Sequence, residues 1–435
     1  MASDVLSDKM LLDIKDRLQD KTIHQVRLIA REVGVSQPTE GKKAELIEKI
    51  LAIASCEIAP IPRSKRGAPP KSCEYDEKLV ADIKACMEYY TLLKNADTPR
   101  DKLGVSDGTY GQVCGGILVK TENNFFLRTN GCLPSADDIF VSQVFVNRFN
   151  LKEGDFVNGE CRRNPSDDFA VLTKVFPAAE SSRREFAKLT PIYPNKRIHV
   201  ANSGKDIAAR MIDLFSPVGC GQRAVICSPA SSEIALIKQI AEGISSNEED
   251  CAVVVFIVAG SPEDITDLES SPLGAEVFGT TFDLEQNQHV QAAEFVVKYC
   301  KSAVERGKNT VLIVSGLSKL QSEAKHLLSS AICAKEGGSL AVIATVSAQG
   351  EYSSEYSAEL LSAANMRAVL ADGGWRTPVI DVTKSYTLNC GLLQTDDEQK
   401  TADILRKQCQ TAGIQNVIQL FKNTENNTEI IKSNG

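Results

Sequence analysis

The 435-residue chain lacks any apolar run approaching the roughly 18 residues that a membrane-spanning helix needs. Its first residues, MASDVLSDKMLLDIKDRL, are charged throughout and lack the apolar segment of a secretory signal. We therefore expect a cytoplasmic protein with no membrane partner.

The thirteen cysteines include no C-x-x-C pair, and the four histidines do not cluster with them. Zinc sites use closely spaced cysteines and histidines, so no metal site is expected. An odd number of cysteines without a secretion signal predicts reduced, mostly buried thiols. The net charge of −8 argues against a protein that binds polyanions over its whole surface. A local basic groove stays open, because a phosphate chain responds to the nearby potential.

The length predicts two or three domains, and the 43% apolar content supports packed cores. The first unit is predicted to be helical. In TIHQVRLIAREVGVS, Thr22 is followed by Gln25 three residues later, and this spacing is typical of a capping box at a helix N-terminus. A second helix follows in KKAELIEKILAIA. These patterns predict a helical module over residues 1–56. The Pro-rich, basic stretch APIPRSKRGAPPKS predicts an extended linker within a connector over residues 57–109.

Residues 110–178 alternate between apolar and polar positions and break at turns. Five short strands in so few residues predict a small closed β-barrel of the OB type. From about residue 205 the pattern changes to apolar strands separated by helical segments, which predicts a parallel sheet covered by helices. The last residues, 426–435, are polar and are expected to form a frayed tail.

Several long stretches now carry a resemblance: DDIFVSQVFVNRFNLKEGD, LTPIYPNKRI, DLFSPVGCGQRAVI and TTFDLEQNQHVQAAEFVVKYCKSAVERGKNTVLIVSGLSKL. Over roughly residues 110–395 the chain resembles the bacterial transcription termination factor Rho family. The resemblance implies a Rho N-terminal-like (SAP-like) module, a cold-shock-like barrel that binds single-stranded RNA, and a RecA-like ATPase domain over residues 179–425. It also implies a ring of six subunits that uses ATP and Mg²⁺, moves along RNA and acts on RNA polymerase.

The stretch that aligns with the family's phosphate-binding loop, residues 228–234, contains neither glycine nor lysine. Such a loop needs glycines to close its N–H groups on the anion, and a lysine for the phosphates. Two strands that carry catalytic carboxylates in the family end here at Gly260 and Ser315, and the family's trans arginine aligns with Leu388. The residues assigned to this vestigial nucleotide pocket are Pro229, Ser231, Ser232, Glu233, Ile234, Gly260, Ser315 and Arg376. The expectation is a pseudo-ATPase with no catalytic residue and no cofactor.

The family's RNA-binding strand aligns with Glu122–Arg128. The resemblance implies RNA contacts from five residues, of which Asn124 replaces a stacking aromatic. They are Asn124, Phe126, Arg128, Asp138 and Phe140. The alternative for Phe126 is a place in the barrel core.

Three functions remain open at this point. The first is an RNA-binding Rho relative that regulates termination without ATPase activity, as a homo-hexamer or in a mixed ring with an active Rho. The second is an active ATP-dependent RNA helicase with an unusual pocket. The third is a scaffold that binds only protein, which weak or salt-insensitive RNA binding would favour.

Overall fold

The computed structural model describes most of the three predicted units. The described residues are 14–15, 17–35, 38, 41–55, 79–80, 83–84, 112–121, 124–163, 169–176, 183–202, 206–228, 233–347, 356–371 and 379–434. Within these ranges no helix is long and apolar enough to cross a membrane. In the same ranges, no group of three or more histidine, cysteine or carboxylate side chains could hold a metal ion.

In the described part of the N-terminal module, α1 spans Ile23–Val33 and α2 spans Lys43–Ala54, and residues 14–15 and 17–19 are also helical. The predicted capping box at α1 is confirmed: the Thr22 N–H donates to the Gln25 side chain at 3.0 Å, and the Gln25 N–H donates to the Thr22 hydroxyl at 3.4 Å. The helix ends at Gly34, whose φ of 92° suits glycine at a helix C-terminus. The apolar faces of the two helices share one small core.

The predicted barrel is confirmed as a closed sheet in the order β1-β2-β3-β5-β4. Its strands are β1 (Gln112–Lys120), β2 (Phe125–Arg128), β3 (Ile139–Val141), β4 (Phe156–Arg162) and β5 (Ala170–Phe176), with helix α3 (Gln143–Arg148) between β3 and β4. The β3–β5 pair is parallel and the others are antiparallel. Leu118, Leu127 and Leu172 are fully buried and fill the barrel interior.

The C-terminal unit is built on a sheet whose main path runs β11-β10-β12-β14-β9-β15-β16. The pairs from β11 to β15 on this path are all parallel, as the apolar strand pattern predicts. The strands of this unit are β6 (Pro191–Ile192), β7 (Arg197–Ile198), β8 (Val218–Gly219), β9 (Arg223–Ser228), β10 (Cys251–Gly260), β11 (Glu276–Thr281), β12 (Asn309–Ser315), β13 (Ile332–Ala334), β14 (Ser339–Ser347), β15 (Met366–Ala371), β16 (Val379–Ile380) and β17 (Tyr386–Thr387).

Helices cover both faces of this sheet. They are α4 (Ile207–Phe215), α5 (Glu233–Asn247), α6 (Pro262–Ser270), α7 (Gln286–Glu305), α8 (Glu323–Ser329), α9 (Tyr356–Ala363), α10 (Asp396–Ala412), α11 (Ile414–Asn423) and α12 (Asn427–Asn434). Alternate strand residues enter separate cores: Val255 and Ile313 pack on one side, and Phe256 and Val314 on the other. This alternation explains why the strands are apolar at nearly every position.

The expectation of a frayed tail over residues 426–435 is wrong for most of that segment. Residues Asn427–Asn434 form α12, and Ile430 is fully buried in the core of the α/β domain. The Asn427 amide donates to the carbonyl oxygen of Arg210 at 2.9 Å, and Arg210 Nε donates back to the Asn427 side chain at 3.2 Å. The buried Ile430 and this reciprocal pair attach a mostly polar helix to the α/β domain.

The barrel packs directly against α7. A Cβ atom on Gly154 would lie 2.3 Å from the carbonyl oxygen of Lys298, so only glycine permits this close approach. The neighbouring Asp155 carboxylate is buried and accepts hydrogen bonds from Arg183 Nη1, at 2.6 and 2.8 Å, and from the Ser302 hydroxyl. Burial alone would raise the pKa of Asp155, but these hydrogen bonds and the charge of Arg183 outweigh it and lower the pKa. A buried ionic cluster therefore joins the two domains.

Candidate functional site

Three phenylalanines form an aromatic cluster on the outer surface of the barrel. Phe126 on β2 lies opposite Phe140 on β3, with ring centroids 5.8 Å apart in an edge-to-face arrangement. Phe169, just before β5, lies 5.2 Å from Phe126 and is 38% exposed. Strand alternation explains why Phe126 and Phe140 face outward, because their sequence neighbours Leu127 and Ile139 are buried in the barrel core. Phe126 is thus not a core residue of the barrel.

Phe169 is the member of this cluster that the sequence interpretation missed. It lies in the stretch FAVLTKV, which predicts a strand without indicating which way its first ring points. Phe125 instead packs against the barrel core. Asn124 is exposed just before β2, and its backbone N–H and carbonyl both bond the Thr121 hydroxyl in the β1–β2 turn.

Arg128 and Asp138, also assigned to RNA contact, form a buried ion pair. Arg128 Nη2 lies 3.3 Å from Asp138 Oδ2, and the two side chains are only 7% and 6% exposed. Arg128 Nη1 also donates to the Cys132 carbonyl at 3.0 Å, and its guanidinium lies 5.4 Å from the centre of the Phe295 ring on α7. In this arrangement the pair connects the barrel to the α/β domain and does not present its charges to solvent.

The exposed aromatic cluster has the properties of a stacking surface. An aromatic ring on a small barrel can stack with any of the nucleobases, and each such contact contributes about 1–3 kcal/mol to the free energy of binding. Asn124 lies in the β1–β2 turn, two residues before Phe126, and is exposed. Its amide adds a polar group at the edge of that surface.

Of the residues that the sequence assigns to a nucleotide pocket, Gly260 and Ser315 end two parallel strands, at the sheet edge where α/β proteins commonly bind ligands. Glu233 is the first residue of α5, and its carboxylate points at the ends of β12 and β14. Glu233 Oε1 accepts hydrogen bonds from the Ser315 hydroxyl at 2.7 Å, the Gly316 N–H at 2.8 Å and the Thr345 hydroxyl. A protein carboxylate on the first residue of α5 therefore occupies these donors at the ends of β12 and β14.

Groups at the ends of two further strands, β10 and β11, also make internal contacts. Lys319 Nζ donates to the carbonyl oxygens of Val258 and Ala259, at 3.1 and 2.9 Å, where β10 approaches Gly260. His289 Nδ1 lies 2.9 Å from the Thr280 hydroxyl. Burial, with the nearby charge of Lys319, lowers the pKa of His289, so that imidazole is neutral at physiological pH.

The remaining residues assigned to the pocket divide into two groups. Ile234 packs against the core of the α/β domain. Four others, Pro229, Ser231, Ser232 and Arg376, lie outside the described residues. Thr345 was missed by the sequence interpretation, although a threonine near the end of the apolar run SLAVIATVS is the kind of signal that marks a functional strand end.

Two family models match the chain. Residues 114–178 match the model described as Rho termination factor, RNA-binding domain, and residues 17–52 match Rho termination factor, N-terminal domain. Transcription termination factor Rho of Borreliella burgdorferi is 31% identical over 367 residues, covering 74% of this chain and 71% of the relative. The chain belongs to the Rho transcription termination factor family. Escherichia coli Rho is 30% identical over 334 residues, covering 67% of this chain and 80% of the relative.

Membership places the aromatic cluster within the Rho-type RNA-binding domain, because Phe126, Phe140 and Phe169 all fall in residues 114–178. Among solved structures, this Rho family member is similar to an ATPase of the type III secretion system of pathogenic bacteria. That match is 17% identical with a TM-score of 0.47, and it covers 56% of this chain and 86% of the other.

Proposed function

We propose that this Rho family member binds single-stranded RNA on the aromatic cluster of its barrel and takes part in transcription termination without hydrolysing ATP. The observation that carries the RNA-binding part is the outward, partly exposed position of Phe126, Phe140 and Phe169 on neighbouring strands. Bases of any identity can stack on such rings. The phosphates of the RNA backbone add a contribution to the binding affinity that weakens as the salt concentration rises.

The test of RNA binding is fluorescence anisotropy with a labelled single-stranded RNA and the Phe126→Ala variant. Loss of one stacked base costs about 1–3 kcal/mol, so the dissociation constant should rise about 5- to 150-fold. Phe156→Ala is the matched control, because Phe156 is also an exposed phenylalanine of the barrel but lies on β4. Equal affinities for wild type and Phe126→Ala would contradict this site. Absence of RNA binding by the wild type would favour the protein-only scaffold.

The Glu233 carboxylate carries the second part of the proposal. It accepts hydrogen bonds from Ser315, Gly316 and Thr345, groups that would otherwise be available to a bound phosphate or its metal ion. A nucleotide phosphate placed there would meet a negative charge at close range, in a partly desolvated site where repulsion is strong. The strands β10 and β12 end at Gly260 and Ser315, neither of which supplies a carboxylate for Mg²⁺.

Phosphate release in the presence of ATP, Mg²⁺ and RNA tests this part. We expect release no faster than in buffer alone, and therefore no requirement for ATP or Mg²⁺ as cofactors. RNA-stimulated release would restore the active helicase as the preferred function. A wild-type Rho from another species, assayed with the same RNA, shows that the conditions support turnover.

Assembly into a ring, either of six copies or mixed with an active Rho, belongs to the same proposal. Tyr386, Leu388 and Leu392 are exposed apolar side chains close together in sequence, and Leu388 is 55% exposed at the position that aligns with the family's trans arginine. An apolar surface of this kind supports a subunit contact. A mixed ring would contain inactive sites and would reduce termination by an active Rho acting on RNA polymerase. Light scattering and the ATPase rate of active Rho mixed with increasing amounts of this chain test the assembly.

A further inference from the structure

A cavity opens at one end of the barrel, and its lining includes residues adjacent in sequence to Phe140 and Phe169. It has a volume of about 400 Å³ and lies where β1, β3 and β5 begin and where β2 and β4 end. Pockets for small ligands start at about 300 Å³, so this barrel mouth has room for a single nucleotide. The lining of the barrel mouth includes Cys114, Asn130, Asp137, Cys161, Arg162 and Arg163.

The floor of the mouth is uncharged. Cys114 and Cys161 face the barrel interior from neighbouring strands and belong to, or pack against, the barrel core. Burial, together with a hydrogen bond and the charge of the Cys161 thiol, raises the pKa of Cys114 to about 12, so that thiol stays protonated at neutral pH. A neutral, polarisable floor suits the face of a nucleobase better than it suits a phosphate.

The two sides of the mouth differ in charge. On the β2–β3 side, Asn130 and Asp137 are exposed, and the Thr129 hydroxyl donates to the Asp137 carbonyl at 3.3 Å. On the β4 side, Arg162 and Arg163 are exposed at the end of the strand. An amide and a carboxylate can pair with the edge of a base, whereas guanidinium groups bind phosphate.

The mouth and the aromatic cluster use neighbouring residues of the same two strands, β3 and β5. Phe169 directly precedes Ala170, which lines the cavity, and the Phe169 ring contacts Phe126 at 5.2 Å between centroids. Likewise Ile139 lines the cavity, and its neighbour Phe140 belongs to the cluster. Because neighbouring residues of a strand face opposite sides, RNA that leaves the cluster would have to pass around the starts of β3 and β5 to reach the mouth.

We propose that the barrel mouth is a nucleotide-binding subsite of the RNA path, which holds the nucleotide next to those stacked on the cluster. Its base enters the mouth toward Asn130 and Asp137, and its phosphate lies against Arg162 and Arg163. This inference rests on RNA binding at the aromatic cluster. It adds a subsite that makes both base and phosphate contacts and so extends the RNA footprint by one nucleotide.

The first arm of the test measures the salt dependence of RNA affinity for Arg162→Gln. Loss of one phosphate contact with single-stranded RNA should reduce the slope of log affinity against log salt by about 0.7. Lys120→Gln is the matched control, because Lys120 is exposed at the opposite end of β1, about 26 Å along the strand from Gln112. A slope unchanged by Arg162→Gln, or reduced equally by Lys120→Gln, would overturn the subsite.

The second arm uses short RNAs in which one nucleotide at a time lacks its base. In the wild type we expect one position, adjacent to those that depend on Phe126, where removal of the base weakens binding about 2- to 10-fold, the value of one or two base contacts. In Asn130→Ala that particular effect should disappear while the others remain. Survival of every abasic effect in Asn130→Ala would overturn the proposal.

The two proposals fail in different ways. If Phe126→Ala weakens binding but Arg162→Gln and Asn130→Ala do not, the cluster binds RNA and the mouth does not. If none of the three substitutions changes the affinity for RNA, the proposal that RNA binds at the barrel is itself wrong. Arg162 and Asn130 are both exposed, so thermal melting of these variants should match that of the wild type.

Discussion

The carboxylate of Glu233 accepts a 2.8 Å hydrogen bond from the backbone N–H of Gly316, linking the start of α5 to the end of β12. Ser315 and Thr345 donate to the same oxygen. Three donors at the carboxyl edge of the sheet thus converge on an internal anion. The nucleotide pocket of an ATPase at this place would instead keep such donors for a phosphate.

The first prediction concerns Glu233→Ala. The Ser315 hydroxyl would lose its acceptor in a partly buried site, while Gly316 and Thr345 would keep only their bonds to Thr345 Oγ1 and the Val314 carbonyl. The loss should cost about 1–3 kcal/mol in the free energy of unfolding. Urea denaturation should show a lower midpoint with an unchanged slope. Glu294→Ala, at an exposed position of α7, provides the control and should unfold like the wild type. Equal midpoints for all three proteins would mean that the carboxylate does not stabilise this edge.

The second prediction concerns Asn124→Phe. Asn124 is exposed two residues before Phe126, at the position where the family resemblance places a second stacking aromatic. A new ring there should add a stacked base and tighten RNA binding about fivefold or more in anisotropy measurements. The same substitution combined with Phe126→Ala should give a smaller gain, because the two rings would stack neighbouring bases. If Asn124→Phe does not tighten RNA binding in the protein that retains Phe126, the RNA does not pass over this position.

The third prediction concerns the Arg128–Asp138 pair. Arg128→Met leaves the Asp138 carboxylate buried without its partner, which should cost about 3–5 kcal/mol in unfolding free energy. Adding Asp138→Leu removes the unpaired charge and should recover most of that loss. Because the pair is buried against α7, the double variant should bind RNA almost as well as the wild type. A stable double variant that loses RNA affinity as Phe126→Ala does would show that the pair contacts RNA.

The fourth prediction concerns pH and Asp155. The folded chain lowers the pKa of Asp155 below its usual value of 3.8, so the carboxylate stabilises the fold fully at pH values above 3.8. That contribution is lost as the pH falls from 3.8 through the lower, folded pKa. Asp155→Asn should therefore be less stable than the wild type by about 3–5 kcal/mol at pH 7. Denaturation at a series of pH values should show this difference shrinking only below about pH 3.8, and a difference that already shrinks between pH 7 and 5 would contradict the assignment.

Much of the fold follows from local patterns in the sequence. The Thr22–Gln25 capping box, the five barrel strands and the apolar strands of the α/β sheet were predicted and are confirmed. Strand β11 is harder to recognise, because EVFGTT contains few apolar residues and lies at the sheet edge. Helix α12 was missed because one buried side chain, Ile430, and a contact with the distant Arg210 hold it.

The candidate sites were only partly predictable, because their geometry depends on contacts across long sequence distances. Strand alternation could place Phe126 and Phe140 on one face, but the addition of Phe169 depends on how the barrel closes. The burial of Arg128 depends on Phe295, which lies far away in sequence. The missing glycines and lysine indicated an altered pocket, whereas the contact between Glu233 and Thr345 required the assembled sheet.

Isothermal titration calorimetry of the purified chain, first with ATP and Mg²⁺ and then with single-stranded RNA, tests the central claim most directly. The account predicts no binding heat with ATP, because Glu233 occupies the anion position, and saturable heat with RNA that weakens in Phe126→Ala. Saturable ATP binding in the micromolar range would contradict it and would make the active ATP-dependent RNA helicase the preferred function.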